Sequence, residues 1–79
     1  MTAVRVRLTF PTDLVQQPIV GQLVSRFSVM PNIRRADVSD DVGWIVCELD
    51  GDERAVSSAL AWLAEIGVEV DQLDHPLES

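Results

Sequence analysis

The chain has 79 residues, of which 47% are hydrophobic and 24% are charged, and its net charge is −7. This balance is typical of a folded soluble domain rather than of a disordered tail. The negative field repels phosphate backbones and anionic lipid, so we do not expect nucleic acid as a partner. The single cysteine, Cys47, excludes an internal disulfide and a cysteine-based zinc or iron–sulfur centre within one chain.

The length and the hydropathy of the chain limit the domain organisations that are possible. No apolar stretch approaches the roughly 20 residues needed to cross a bilayer, and the first residues lack the layout of a secretory signal. We therefore expect a cytoplasmic protein with no membrane insertion. The prediction is a single domain over 1–79, with its core at about 4–73 and a tail at 74–79.

A strand and a helix are the first predicted elements. Apolar and polar residues alternate over 4–10, which predicts a strand with one buried face. After Pro18, whose locked φ suits the first turn of a helix, apolar residues recur at helical spacing. This pattern predicts a helix at about 17–28.

The next two elements form a predicted hairpin. Pro31 forbids continuation of the helix, and a less regular strand is expected over about 32–39. A turn at 40–43 follows, with Gly43 available for a positive φ. The strongest β segment of the chain then covers 44–49, so the two strands should pair as antiparallel neighbours.

A second helix and a fourth strand complete the chain. Asp52 is the predicted N-cap, Gly67 is the predicted left-handed C-cap, and the helix between them runs to about Ile66. Alternation over 68–73 predicts the last strand. The buried stripe of the helix is expected to consist of Val56, Ala59, Leu60 and Leu63.

The element order βαββαβ predicts an α+β fold. Right-handed crossovers put both helices on one face of a four-stranded antiparallel sheet with strand order 4-1-3-2. This is the ferredoxin-like sandwich. A swapped or rearranged sheet built from the same elements is the alternative.

One face of this sheet is left without helices. Arg5 and Arg7 of the first strand are expected on that open face. There they are predicted to form a salt-bridge ladder with Glu69 and Asp71 of the last strand, which is its neighbour in the sheet.

Trp44 and Val46 are also expected on the open face, and Arg35 is assigned with them to a dimer or partner face. An indole on an uncovered sheet leaves apolar area in water, so these residues predict a face for a second protomer or another partner. A homodimer would also cover the exposed edge of strand two. The alternative is that Trp44 lies partly buried under its own loop.

The chain is poor in catalytic groups. Its only histidine, His75, lies in the tail, and the carboxylates at the hairpin, Asp37, Asp40 and Asp41, are interpreted as a solvated turn rather than a calcium site. Cys47 is expected to point inward as an inert thiol. No glycine-rich phosphate loop is present. The sequence therefore predicts a protein that is not an enzyme, with no metal site and no cofactor.

Ordered motifs along the whole chain point to a family. The motifs are Leu8-Thr9-Phe10, Pro18-Ile19-Val20, Asn32-Ile33, Gly43, Glu48-Leu49-Asp50-Gly51-Asp52, Ala59-Leu60-Ala61-Trp62-Leu63 and Gly67-Val68-Glu69-Val70. Taken together, they resemble the NIL domain, the carboxy-terminal regulatory domain of the ATPase subunit of methionine-importing ABC transporters, over about residues 4–73.

The resemblance implies an ACT-like domain that dimerises and binds L-methionine at the dimer interface. Asn32 falls on the family's ligand-contacting asparagine, and a planar amide with donors and an acceptor suits the backbone of a zwitterion. Ile33 and Met30 would enclose the thioether. Arg34 and Arg35 stand where the family tends towards apolar or small residues, and an arginine can meet a ligand carboxylate.

Two functional hypotheses follow, together with two roles for Asn32. The first function is a stand-alone regulatory sensor that binds methionine or a similar amino acid and reports it to a separate partner protein. The second is a protein-interaction accessory of sulfur-amino-acid metabolism with no small ligand. In the alternative to ligand binding, Asn32 caps the strand start or bonds its own backbone.

Overall fold

A computed structural model of the chain describes residues 2–14, 18–38 and 43–73. Within these ranges neither helix has the length and apolar character that a membrane crossing requires. The elements are β1 (Thr2–Phe10), α1 (Ile19–Phe27), β2 (Met30–Val38), β3 (Gly43–Gly51), α2 (Glu53–Ile66) and β4 (Glu69–Gln72).

The four strands form one antiparallel sheet in the order β2-β3-β1-β4. This is the predicted order 4-1-3-2 counted from the other edge, so the ferredoxin-like α+β fold is confirmed. Alternate side chains of β1 and β3 pack against both helices. The core residues are Val6, Leu8, Phe10, Leu14, Ile19, Leu23, Val29, Ile45, Cys47, Leu49, Val56, Ala59, Leu63 and Val68.

The caps of α2 are the predicted ones. The Asp52 side chain accepts a hydrogen bond from the Arg54 backbone N–H at 3.1 Å. Gly67 has a φ of 106°, in the left-handed region that glycine adopts without a Cβ clash. Three of the four predicted stripe residues of α2 are buried, and the fourth, Leu60, is partly buried.

The end of α1 differs from the prediction. The helix ends at Phe27, and Ser28 adopts a left-handed φ of 57° while the Val29 N–H donates to the Leu23 carbonyl at 3.0 Å. The helix therefore stops before Pro31, and Pro31 lies inside β2. A proline is tolerated there because β2 is an edge strand, with one side of its backbone unpaired.

The predicted hairpin pairs as expected, but the role of Gly43 was wrong. Gly43 begins β3 and pairs with Phe10 and Val38, and its φ is not positive. A Cβ added at Gly43 would lie 3.5 Å from the Val38 methyl groups, which is ordinary van der Waals contact. Residues 40–42 and His75 lie outside the described residues.

Half of the predicted salt-bridge ladder is confirmed. Arg7 pairs with Asp71 of β4 at 3.7 Å. Arg5 pairs instead with Glu48 of β3 at 3.0 Å. The register explains the difference, because Arg5 lies directly opposite Glu48, whereas Glu69 lies opposite a residue four positions further along β1.

Candidate functional site

β2 contains a β-bulge at Arg34. Its ladder with β3 is in register up to Ile33 and resumes at Arg35. An extra residue in one strand changes which face the following side chains occupy. Arg35 therefore shares the open face with Asn32, whereas strict alternation would have placed it on the other face. The bulge concentrates polar side chains of β2 on the open side of the sheet.

A depression at this edge of the sheet is the candidate site, and we call it the β2 depression. Its residues come from the first half of β2 and the second half of β3, which pair directly. It is wide open to solvent, so a ligand here would need a further surface to enclose it. Its lining consists of Pro31, Asn32, Ile33, Arg34, Glu48 and Asp50.

Glu48 is held between two guanidinium groups. Arg5 Nη2 donates to Glu48 Oε2 at 3.0 Å, and Arg34 Nη2 donates to Glu48 Oε1 at 3.0 Å. These contacts hold the pKa of the Glu48 carboxyl below its ordinary value of 4.5, with the hydrogen bond from Arg34 as the largest cause. Both carboxylate oxygens are thus occupied by cations, and the negative charge of Glu48 is compensated.

Asn32 makes a different contact. Its Nδ2 donates to Asp50 Oδ2 at 2.6 Å, across the β2–β3 pair. Asn32 is the third residue of β2, not the first, because the strand begins at Met30. The alternative role as a cap of the strand start is therefore wrong. The amide is exposed and already oriented by a charged acceptor on the neighbouring strand.

The structure brings together some of the predicted ligand residues and separates others. Asn32 and Arg34 meet around Glu48, which lies opposite Asn32, and Met30 lies opposite Asp50 on the same face. Ile33 also lines the depression, although its position opposite Cys47 places its side chain on the other face of β2, where 52% of the residue is exposed.

Glu48 and Asp50 were missed as site residues by sequence reasoning. The signal was available only in part, because Glu48 is an outward-facing residue of the predicted segment 44–49, whereas Asp50 follows that segment. What was lacking was the register, which decides that these two carboxylates face Asn32 and Met30 rather than the second half of β2.

Trp44, Val46 and Arg35, the predicted partner face, lie on the open face of the sheet. Trp44 and Val46 are half-buried, and Arg35 is exposed. Among the described residues, the large apolar side chains that are most exposed lie elsewhere, at the β2 edge and on α1. They are Val24, Met30, Ile33 and Val38, between 44% and 62% exposed.

A second cavity is apolar. It has a volume of about 110 Å³ and lies on the helix-covered side of the sheet. Apolar side chains and one glycine line it, so it offers no group that could hold a ligand charge. The lining residues are Phe10, Leu14, Ile19, Val20, Val38, Gly43 and Ile45.

The inward-facing thiol on β3 behaves as predicted. Cys47 is fully buried, and burial raises the pKa of its thiol to about 11. The group therefore stays protonated at neutral pH and has no nucleophilic character. Over the described ranges, no three metal-ligating side chains come close enough to hold an ion.

Comparison with known proteins decides the family. A family model described as the NIL domain matches residues 4–72. The chain belongs to the NIL domain family. This NIL domain is 37% identical over 71 residues to an uncharacterised protein of Synechocystis sp., and the match covers 87% of this chain and 73% of that protein.

A second relative has a more informative name. The NIL domain is 30% identical over 74 residues to the methionine import ATP-binding protein MetN 2 of Lactiplantibacillus plantarum. That match covers 89% of this chain but only 22% of the relative, so the chain corresponds to about a fifth of that ATPase.

A solved structure supports the fold. The C-terminal domain of an ABC transporter ATP-binding protein from Enterococcus faecalis superposes with a TM-score of 0.76 at 23% identity. The superposition covers 89% of this chain and 82% of that chain. The fold is therefore that of a domain found at the end of a transporter ATPase.

Proposed function

We propose that this NIL domain is a non-enzymatic regulatory module that binds L-methionine or a similar amino acid between two copies of the chain. Membership of the NIL domain family, with a methionine-import ATPase among its relatives, carries the proposal. A separate partner protein would respond to the bound ligand.

The chemistry of the β2 depression supports an amino-acid ligand. Asn32 and Arg34 supply polar groups on one face, and Met30 supplies an exposed apolar side chain on the same face. An amide and a guanidinium recognise the polar backbone of an amino acid, and a thioether packs well against another flexible apolar chain. The depression and the adjacent Met30 together therefore offer groups for both ends of methionine.

The edge strand β2 supports a dimer. It is a nine-residue edge strand, and only one side of its backbone pairs within the sheet. Met30, Ile33 and Val38 each expose more than half of their surface along it. Exposed apolar residues on a long unpaired edge favour pairing with another strand, and a second copy supplies one by two-fold symmetry. Such a copy would also enclose the open depression.

The ligand is tested by calorimetry of the purified protein with L-methionine. We expect binding, and we expect Asn32→Ala to weaken the affinity at least about tenfold, because a hydrogen bond to a charged group contributes about 1.5–3 kcal/mol. Gln72→Ala is the matched control, since it removes an exposed amide from the opposite edge strand. Binding that survives Asn32→Ala would remove Asn32 from the site.

The dimer is tested by sedimentation equilibrium with and without L-methionine. Ile33→Glu places a charge on the exposed edge and should shift the protein towards the monomer, whereas Ser57→Glu adds the same charge on exposed α2 and should leave the mass unchanged. If both variants keep the mass of the original protein, the β2 edge is not the interface.

The protein-interaction alternative gives the opposite result in the same experiments. Trp44 and Val46 are apolar residues on a sheet face without helices, and they could contact a partner protein directly. If no amino acid gives heat with the purified domain, the ligand-binding proposal is overturned and this second function is favoured.

A further inference from the structure

The two carboxylates in the β2 depression have unequal surroundings. Glu48 faces two guanidinium groups, one on each oxygen. Asp50, two residues further along the same face of β3, accepts from the neutral amide of Asn32, and within the described part of the chain it has no ion pair. The charge of Glu48 is thus compensated locally, and the charge of Asp50 is not.

The contact between Asn32 and Asp50 also fixes which way the Asn32 amide group is turned. An ionised carboxylate only accepts hydrogen bonds, so Asn32 turns its Nδ2 towards Asp50. Its Oδ1 is then directed away from Asp50. Asn32 therefore offers an acceptor to a ligand, and a ligand group that meets this oxygen must be a donor.

From this arrangement we infer that Asp50 binds the α-ammonium group of the amino-acid ligand and orients Asn32 to do the same. The inference rests on the proposed function and assigns an orientation to the bound ligand. The ammonium group lies between the Asp50 carboxylate and Asn32 Oδ1, and the ligand carboxylate points towards Arg34. A guanidinium has five N–H donors, so Arg34 can bind that carboxylate while it still holds Glu48.

The geometry and charge of the β2 depression fit this orientation of the ligand. Glu48 and Asp50 are alternate residues of one strand, so their Cα atoms are roughly 6.5–7 Å apart on the same face, and Glu48 holds the Arg34 guanidinium at 3.0 Å. An uncompensated carboxylate beside a cation forms a dipole that matches a zwitterion. The ligand class is therefore an α-amino acid with a free amino group, and desamino and N-acylated analogues should bind more weakly.

The test compares L-methionine with its desamino analogue, 4-(methylsulfanyl)butanoate, on Asp50→Asn and on the unmodified protein. Asp50→Asn keeps the shape and removes the charge. We expect it to weaken L-methionine binding about 10- to 100-fold. The affinity for the desamino analogue should change by less than about twofold, because that ligand has no ammonium group to lose.

Asp71→Asn is the matched control, since it removes a carboxylate from the same face of the sheet next to Arg7 and should leave both affinities unchanged. Equal losses for both ligands, or no loss for either, overturn the role of Asp50 while methionine binding stands. If the unmodified protein binds no amino acid, the proposed function fails, and this inference fails with it. The affinities of the unmodified protein for L-methionine and for the desamino analogue can be compared without any variant. If these two affinities are equal, the inference is also overturned.

Discussion

The two faces of β3 show how one strand can serve two purposes. On the helix-covered face, Ile45, Cys47 and Leu49 are at most 5% exposed and belong to the hydrophobic core. On the open face, the alternate positions are half-buried, and two of them, Glu48 and Asp50, are carboxylates bonded to side chains of neighbouring strands. Core packing and the polar contacts of the β2 depression are therefore carried by different residues of the same element, and substitutions should separate them.

The largest expected effect is on the free energy of unfolding. Leu49→Ala removes a fully buried side chain and leaves a cavity, so we expect a loss of about 2–5 kcal/mol. Val46→Ala, on the open face of the same strand, should cost less than about 1.5 kcal/mol because its side chain is only half-buried. Urea unfolding monitored by circular dichroism measures both. If Leu49→Ala and Val46→Ala lower the free energy of unfolding equally, the two faces of β3 do not differ in their contribution to stability.

A second comparison uses thiol chemistry on adjacent residues. Cys47 is buried, and its thiol pKa is about 11, whereas a cysteine introduced by V46C in a Cys47→Ala background would face the open side. At pH 8 we expect the V46C thiol to react with a disulfide reagent at least about 100-fold faster, since each pKa unit changes the thiolate fraction about tenfold. The absorbance of the chromophore that the reagent releases gives the reaction rates of both thiols.

Full reactivity of Cys47 in urea is the control for this measurement, because unfolding removes the burial that raises its pKa. A native Cys47 that reacts as fast as the introduced cysteine would show that the covered face opens readily, and it would contradict the close packing of the core.

The covered face could be predicted from the sequence because its signal is local. Period-two alternation in the regions of β1 and β3, the Asp52 cap and the Gly67 cap each depend on a few neighbouring residues, and the structure confirms them. Sheet order then followed from the handedness of crossover connections. None of these steps requires knowledge of which side chains meet across strands.

The open face could be predicted only in part because it depends on register. The bulge at Arg34 changes the alternation of β2, and its one local sign is that the apolar residues Ile33 and Ala36 are three positions apart. Whether Arg5 pairs with β3 or with β4 is likewise decided by the ladder. The contact between Asn32 and Asp50 joins residues 18 positions apart, so no local pattern reveals it.

The smallest expected effect is a pH dependence that arises on the open face. The pKa of Glu48 is lowered in the folded protein, first by the hydrogen bond from Arg34, so ionised Glu48 stabilises the fold above its ordinary pKa of 4.5. This stabilisation is lost as the pH falls through the lower pKa of the folded state. Between about pH 5 and pH 3 the unmodified protein should therefore lose stability more steeply than Glu48→Gln.

The difference should be small, because the Arg5 and Arg34 side chains are 53% and 59% exposed and solvent screens their contacts with Glu48. Urea midpoints measured across this pH range report it, and 1 M salt should reduce it since the screening length falls to about 3 Å. Glu65→Gln, which removes an exposed carboxylate from α2, should follow the unmodified protein. If Glu48→Gln also follows the unmodified protein, the contacts with Arg5 and Arg34 are too weak to compensate the charge of Glu48. The charges of Glu48 and Asp50 would then be equally uncompensated.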